Sequence, residues 1–144
     1  MHNYSVKNIL KLIKENKLKL RLYLGLKEDR AENCFPMSIK PDDDPCLLHS
    51  PTETPYPLPD KCCMTIVVRE LLEIIQIIDL PRLLIEWHRL TDKNGFLILR
   101  VPSGRNPYFE HIEKIYNTPS IWYPLTVRKI EDNKCVEYTF QKVG

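Results

Sequence analysis

Few side chains in this chain stand at spacings that carry chemistry. His49, His88 and His111 lie in separate segments and suggest no dyad. There is no GxSxG turn for a serine nucleophile, no HExxH for zinc hydrolysis and no GxxxxGK[ST] loop for a nucleotide phosphate. Five cysteines, Cys34, Cys46, Cys62, Cys63 and Cys135, form no even, spaced framework. Cys62-Cys63 lacks a CxxC partner, so zinc is not expected, and the thiols read as reduced, small hydrophobes of a cytoplasmic protein. Asp42-Asp43-Asp44 lacks metal-ligand spacing and reads as a solvated loop. Arg100 and Arg105 flank the end of an apolar run, where they could meet an anionic ligand or simply belong to a polar loop. No catalytic residue and no metal ligand is assigned.

The elements that must position any site are easier to read. A chain of 144 residues, 43% apolar and 28% charged, is one domain with a core of its own. A net charge of +2 points to neither a nucleic-acid nor a membrane partner. The row Lys7, Lys11, Lys14 comes with no aromatic platform and reads as a solvated helix face. The N-terminus is polar and basic rather than a secretory signal, and no apolar run is long enough to span a bilayer. Glycine is scarce (4) and proline abundant (12).

The organising stretch is Asp79–Pro102. Asp79 is a candidate N-cap, Pro81 fits a first helical turn, and Leu83, Leu84, Trp87 and Leu90 recur at helical spacing. Arg82, Glu86 and Arg89 fall largely off that stripe. Asn94-Gly95 is expected to stop the helix, with Gly95 taking the positive φ. Phe96–Leu99 then reads as a strand buried on both faces. Before this unit come a helix capped by Ser5 and strands near Leu18–Leu24, Cys34–Ile39, Cys46–His49 and Met64–Val68. Ser50–Asp60 carries four prolines and must be an irregular loop. Glu70–Ile78 is apolar at most positions and reads as a short buried helix or an interface. After it come a helix over Tyr108–Tyr116 and two antiparallel strands, Ile121–Ile130 and Lys134–Val143, joined at Glu131-Asp132-Asn133. Val136, Tyr138 and Phe140 alternate with Glu137, Thr139 and Gln141, a half-buried edge pattern. Strands alternating with helices imply an α/β fold: a mostly parallel, Rossmann-like sheet with a terminal antiparallel hairpin and helices on both faces.

Leu80–Pro102, LPRLLIEWHRLTDKNGFLILRVP, is close to the pattern LPRLLxEWxRVLKPGGxLxIRVP. Pro55–Ile75, PYPLPDKCCMTIVVRELLEII, is similar to PLPFPDxSFDxVxxxxVLEHI. Lys19–Gly25 (KLRLYLG) matches KLNLGCG, and Met37–Pro41 (MSIKP) matches VDIxP. The chain thus resembles the class I S-adenosylmethionine-dependent methyltransferases over about residues 18–102.

The resemblance implies a cofactor crevice and shows it altered. Of the GCG turn only Gly25 remains; Tyr23 and Leu24 replace the other two residues. The acid that grips the ribose corresponds to Ser38, and the acid beside the adenine falls near Ser50. The aspartate opening the fourth strand is Met64. The histidine of LEH is Ile74, though its glutamate survives as Glu73. Charged hydrogen bonds contribute about 1.5–3 kcal/mol each, so losing two costs roughly 10²–10⁴ in affinity. Tyr23, Gly25, Ser38, Ser50 and Glu73 are therefore vestigial cofactor positions. The expectation is a degenerate, non-catalytic methyltransferase-like protein that binds no cofactor and acts through a protein partner or a second copy. Glu70–Ile78 and Trp122-Tyr123 are the candidate contact surfaces. The alternative is an active S-adenosylmethionine-dependent methyltransferase with an atypical pocket.

Overall fold

The computed structural model describes residues 6–15, 18–25, 27, 30, 32–43, 45–69, 75–104, 106–117, 120–130 and 134–144. Its strands are β1 (Leu20–Leu24), β2 (Phe35–Ser38), β3 (Leu47–Leu48), β4 (Cys63–Val68), β5 (Thr91–Pro102), β6 (Trp122–Ile130) and β7 (Cys135–Lys142). Its α-helices are α1 (Val6–Lys14), α2 (Leu80–Leu90) and α3 (Pro107–Asn117). The strands form one sheet in the order β3-β2-β1-β4-β5-β7-β6. Pairs from β3 to β5 are parallel, and β7 runs antiparallel to both β5 and β6. This is a Rossmann-like α/β fold with a terminal antiparallel hairpin, as the alternation of strands and helices implied.

Register explains the core. Leu22, Ile66, Leu97 and Phe140 lie across from one another, as do Leu24, Val68, Leu99 and Tyr138 one step along. Side chains in register share a face. Both rows belong to one buried cluster with Leu80, Leu83, Leu84, Trp87 and Leu90 of α2 and Ile112 of α3. The other face carries Tyr23, Val67, Ile98 and Thr139 in one row.

Several expectations need correction. Asp79 does not cap α2 with its side chain; its carboxylate takes the Arg82 guanidinium at 2.9 Å. Helix α2 ends at Leu90, and β5 starts at Thr91, ahead of Asn94-Gly95. The positive φ there belongs to Asn94, at 64°. Gly95 is required for a different reason: a Cβ would come within 2.5 Å of Thr91 Cγ2 and 2.8 Å of the Met64 carbonyl. β7 is an inner strand and β6 is the edge. Ser5, residues 70–74, Arg105 and the 131–133 turn lie outside the described residues. Of the segment expected as a buried helix, Ile77–Asp79 forms a 3-10 helix leading into α2.

Glu86 is the main surprise in α2, because it is buried rather than solvated. Its carboxylate accepts the Tyr56 N–H at 2.6 Å and the Arg89 guanidinium at 2.7 Å. Arg89 also donates to the Leu58 carbonyl and to Asp60. Tyr56 Oη donates to the Pro51 carbonyl at 2.5 Å and accepts from Trp87 Nε1 at 3.1 Å. The proline-rich loop is therefore lashed to α2 by charged and buried hydrogen bonds. A segment with four prolines can form few regular backbone bonds of its own.

Candidate functional site

In open α/β sheets, ligands bind beyond the carboxyl ends of the parallel strands. Here that edge is formed by Leu24-Gly25 after β1, Ser38 at the end of β2, His49-Ser50 after β3 and Arg69 after β4. β1 and β4 run together to their ends: Tyr23 pairs with Val67, Leu24 with Val68, and the Arg69 N–H donates to the Leu24 carbonyl at 3.0 Å.

Tyr23 is 1% exposed. Its ring turns back over the following turn, and a Cβ added to Gly25 would lie 2.5 Å from Tyr23 Oη and 2.8 Å from Cζ. The phenol therefore fills the space that opens over a glycine. Gly25 is needed so that this ring can pack, a use of glycine different from admitting a ligand. Ser38 is also occupied, since its hydroxyl accepts the Lys40 N–H at 3.0 Å. The Ser50 hydroxyl bonds the Thr52 hydroxyl at 2.9 Å and accepts the Thr52 N–H at 3.3 Å. Short polar side chains form such local turns readily. Tyr23, Gly25, Ser38 and Ser50 thus fall at one sheet edge. Glu73 lies outside the described residues. Met64 is not at this edge; it sits near the start of β4 and is 42% exposed.

Arg69, not singled out in the sequence reading, also stands at this edge, directly after β4, where its N–H donates to the Leu24 carbonyl. Burial raises the Cys34 thiol, before the start of β2, above its ordinary range, against the opposing pull of Arg30, Arg21 and Arg69.

Other candidates are engaged elsewhere. Arg100 does not project toward a ligand; it donates to Glu137 Oε2 at 3.2 Å, while Arg128 donates to Glu137 Oε1 at 2.8 Å. Burial raises the Glu137 carboxyl, but the hydrogen bonds from Arg128 and Arg100 outweigh it and hold the group below its ordinary value. His49 Nε2 bonds the Glu53 carbonyl at 2.8 Å, and His88 Nε2 bonds the Val143 carbonyl at 2.8 Å beside Trp122. Both rings serve the scaffold. Cys62 and Cys63 are fully buried, with sulfurs 3.5 Å apart. Among the described residues, no three His, Cys, Asp or Glu side chains come together as a metal site. No described helix is long and apolar enough to cross a membrane.

No family model and no curated protein sequence matches this chain. Solved structures do. The N-methyltransferase NodS from Bradyrhizobium japonicum WM9, in complex with S-adenosyl-l-homocysteine, superposes with a TM-score of 0.63 at 12% identity, covering 96% of this chain and 85% of that one. The 16S rRNA (adenine(1408)-N(1))-methyltransferase from Catenulisporales acidiphilia gives 0.59 at 9% identity, covering 100% and 96%. The 1,6-didemethyltoxoflavin-N1-methyltransferase of Burkholderia thailandensis, bound to S-adenosylhomocysteine, gives 0.60 at 8% identity, covering 96% and 78%. At these identities the likeness establishes a class I methyltransferase-like fold. Function must be argued from the site.

Proposed function

We propose that this chain is a non-catalytic, methyltransferase-like domain that binds no S-adenosylmethionine and acts through protein contacts. The observation that carries this reading is Tyr23 packed over Gly25 at the carboxyl edge of β1. An adenosyl cofactor needs a close backbone approach at this turn, and the residues present do not fit it: an aromatic ring takes that volume. Ser38 and Ser50 replace the acids expected at the ribose and the adenine, and both hydroxyls already close local turns. Restoring cofactor affinity would require moving a side chain from the interior as well as supplying new anchors.

Exposed apolar residues support the contact half of the proposal. Ile78 is 79% exposed and Ile85 65% exposed, seven residues apart along the continuous turn from Ile77 to Leu90. Seven residues is two helical turns, so they share a face, with exposed Pro81 between them. Of the aromatic pair proposed as an anchor, Trp122 is buried and donates Nε1–H to the Leu84 carbonyl, so it belongs to the scaffold. Tyr123 is exposed and is the member of the pair that remains available to a partner.

Calorimetric titration with S-adenosylmethionine and S-adenosylhomocysteine tests the reading. No heat of binding below about millimolar ligand is expected. Micromolar binding overturns it in favour of an active methyltransferase with an atypical pocket. That second reading has the superposition on two S-adenosylhomocysteine-bound enzymes in its favour.

A further inference from the structure

We propose that the cleft between α3 and the β6–β7 hairpin is a binding site for a small organic ammonium ion, independent of whether the carboxyl edge of β1 holds a cofactor. The cleft has a volume of about 300 Å³. Its walls include Phe109, Glu113 and Tyr116 of α3, Val127 of β6, and Val136 and Tyr138 of β7. The helix residues are spaced by four and by three, which puts them on one face. Val136 and Tyr138 share a face of the strand by alternation.

Three rings and one carboxylate converge. Tyr116 meets Tyr138 edge-on with centroids 5.7 Å apart, and Phe109 meets it at 6.4 Å. Tyr138 Oη donates to Glu113 Oε2 at 2.6 Å. Burial, and next the bond to Glu113, raise the Tyr138 phenol above its ordinary range, so it keeps its proton and acts as the donor. Among the described residues, Glu113 Oε1 accepts no bond. An oriented carboxylate with one oxygen left over, beside aromatic faces, offers both parts of ammonium recognition: a charge-assisted acceptor and a cation–π wall. An apolar cleft with a few placed polar groups is the ordinary form of a small-molecule site. Arg128 and Lys129 also line the cleft; the Arg128 guanidinium is bound to Glu137, and Lys129 is exposed across from Val136.

Titration of the full chain with phenethylammonium, followed by amide chemical shifts, tests the site. The neutral isostere phenethyl alcohol serves as the control. Saturable shifts are expected at Phe109, Glu113, Tyr116 and Val127, with the alcohol binding about ten-fold more weakly. Glu113→Gln keeps an acceptor for Tyr138 and removes the charge, and it is expected to weaken ammonium binding about ten-fold while the melting temperature holds. Tyr116→Leu, which keeps apolar bulk without the ring, is a second variant expected to weaken binding several-fold. Equal binding of alcohol and ammonium, unchanged affinity in both variants, or no saturable shifts at the cleft would each overturn the proposal.

Discussion

A methyl group on Gly25 would lie 2.5 Å from the phenol oxygen of Tyr23 and 2.8 Å from its Cζ, so the ring leaves no room for a side chain there. This contact couples the two positions energetically. Gly25→Ala is expected to destabilise the fold by about 1–3 kcal/mol, because the ring is buried and cannot swing into solvent. Tyr23→Ala should remove the steric conflict and leave only the backbone strain of a side chain at φ 158°, so Gly25→Ala in that background should cost less. A double-mutant cycle read by urea denaturation measures the coupling, expected within about 0.5–3 kcal/mol. Additive effects would mean that the ring does not lie over Gly25 in solution.

The lashing of the proline-rich loop to α2 predicts a second effect. Tyr56→Phe deletes the hydroxyl that accepts from Trp87 Nε1 and donates to the Pro51 carbonyl. It leaves a buried indole N–H without its acceptor, a loss of about 1–3 kcal/mol. Thermal denaturation of the variant should show a lower midpoint, and an unchanged midpoint would contradict the geometry.

Two buried carboxylates set an acid limit. Burial raises Glu86, but the bonds from Arg89 and from the Tyr56 N–H dominate and lower it. Glu137 is lowered in the same way by Arg128 and Arg100. Both carboxyls titrate in the folded state below the ordinary value of 4.5. The stability they contribute is complete above that value and is lost as pH falls through the folded-state pKa. Melting temperature should therefore drop steeply below about pH 4.5. Glu137→Gln should flatten that limb while lowering the midpoint at neutral pH. An acid limb identical to that of the parent protein would exclude Glu137 as a contributor.

Much of the fold could be read directly, and the exceptions share a cause. The apolar runs of β4 and β5 and the stripe Leu83, Leu84, Trp87, Leu90 were legible because burial follows from spacing within one element. Glu86 was misread because its burial depends on the Tyr56 N–H, brought across from thirty residues earlier. Glu137 made β7 look like an edge strand. Its charge is tolerated inside because Arg100 on β5 and Arg128 on β6 both reach it. The turn after α2 was misassigned because asparagine also enters the left-handed region, leaving Gly95 to serve a close approach instead. For the candidate crevice the family resemblance offers positions only. That Tyr23 turns back onto Gly25, and that Ser38 and Ser50 close their own turns, depends on rotamers that no motif encodes.

If the exposed Ile78–Ile85 face meets a protein, polar substitution there should change association and leave folding intact. Sedimentation velocity should show the parent chain self-associating, or held by a co-purifying partner. Ile78→Glu with Ile85→Glu should return it to a monomer with the same melting temperature. A parent chain that sediments as a clean monomer and retains no partner would count against a contact role.

The most direct measurement is an electron-density map of crystals grown with millimolar S-adenosylhomocysteine. The account predicts the Tyr23 ring over Gly25 and no adenosyl density at the ends of β1 and β4. A nucleoside seated beside Gly25, with Tyr23 displaced from the interior, would contradict it.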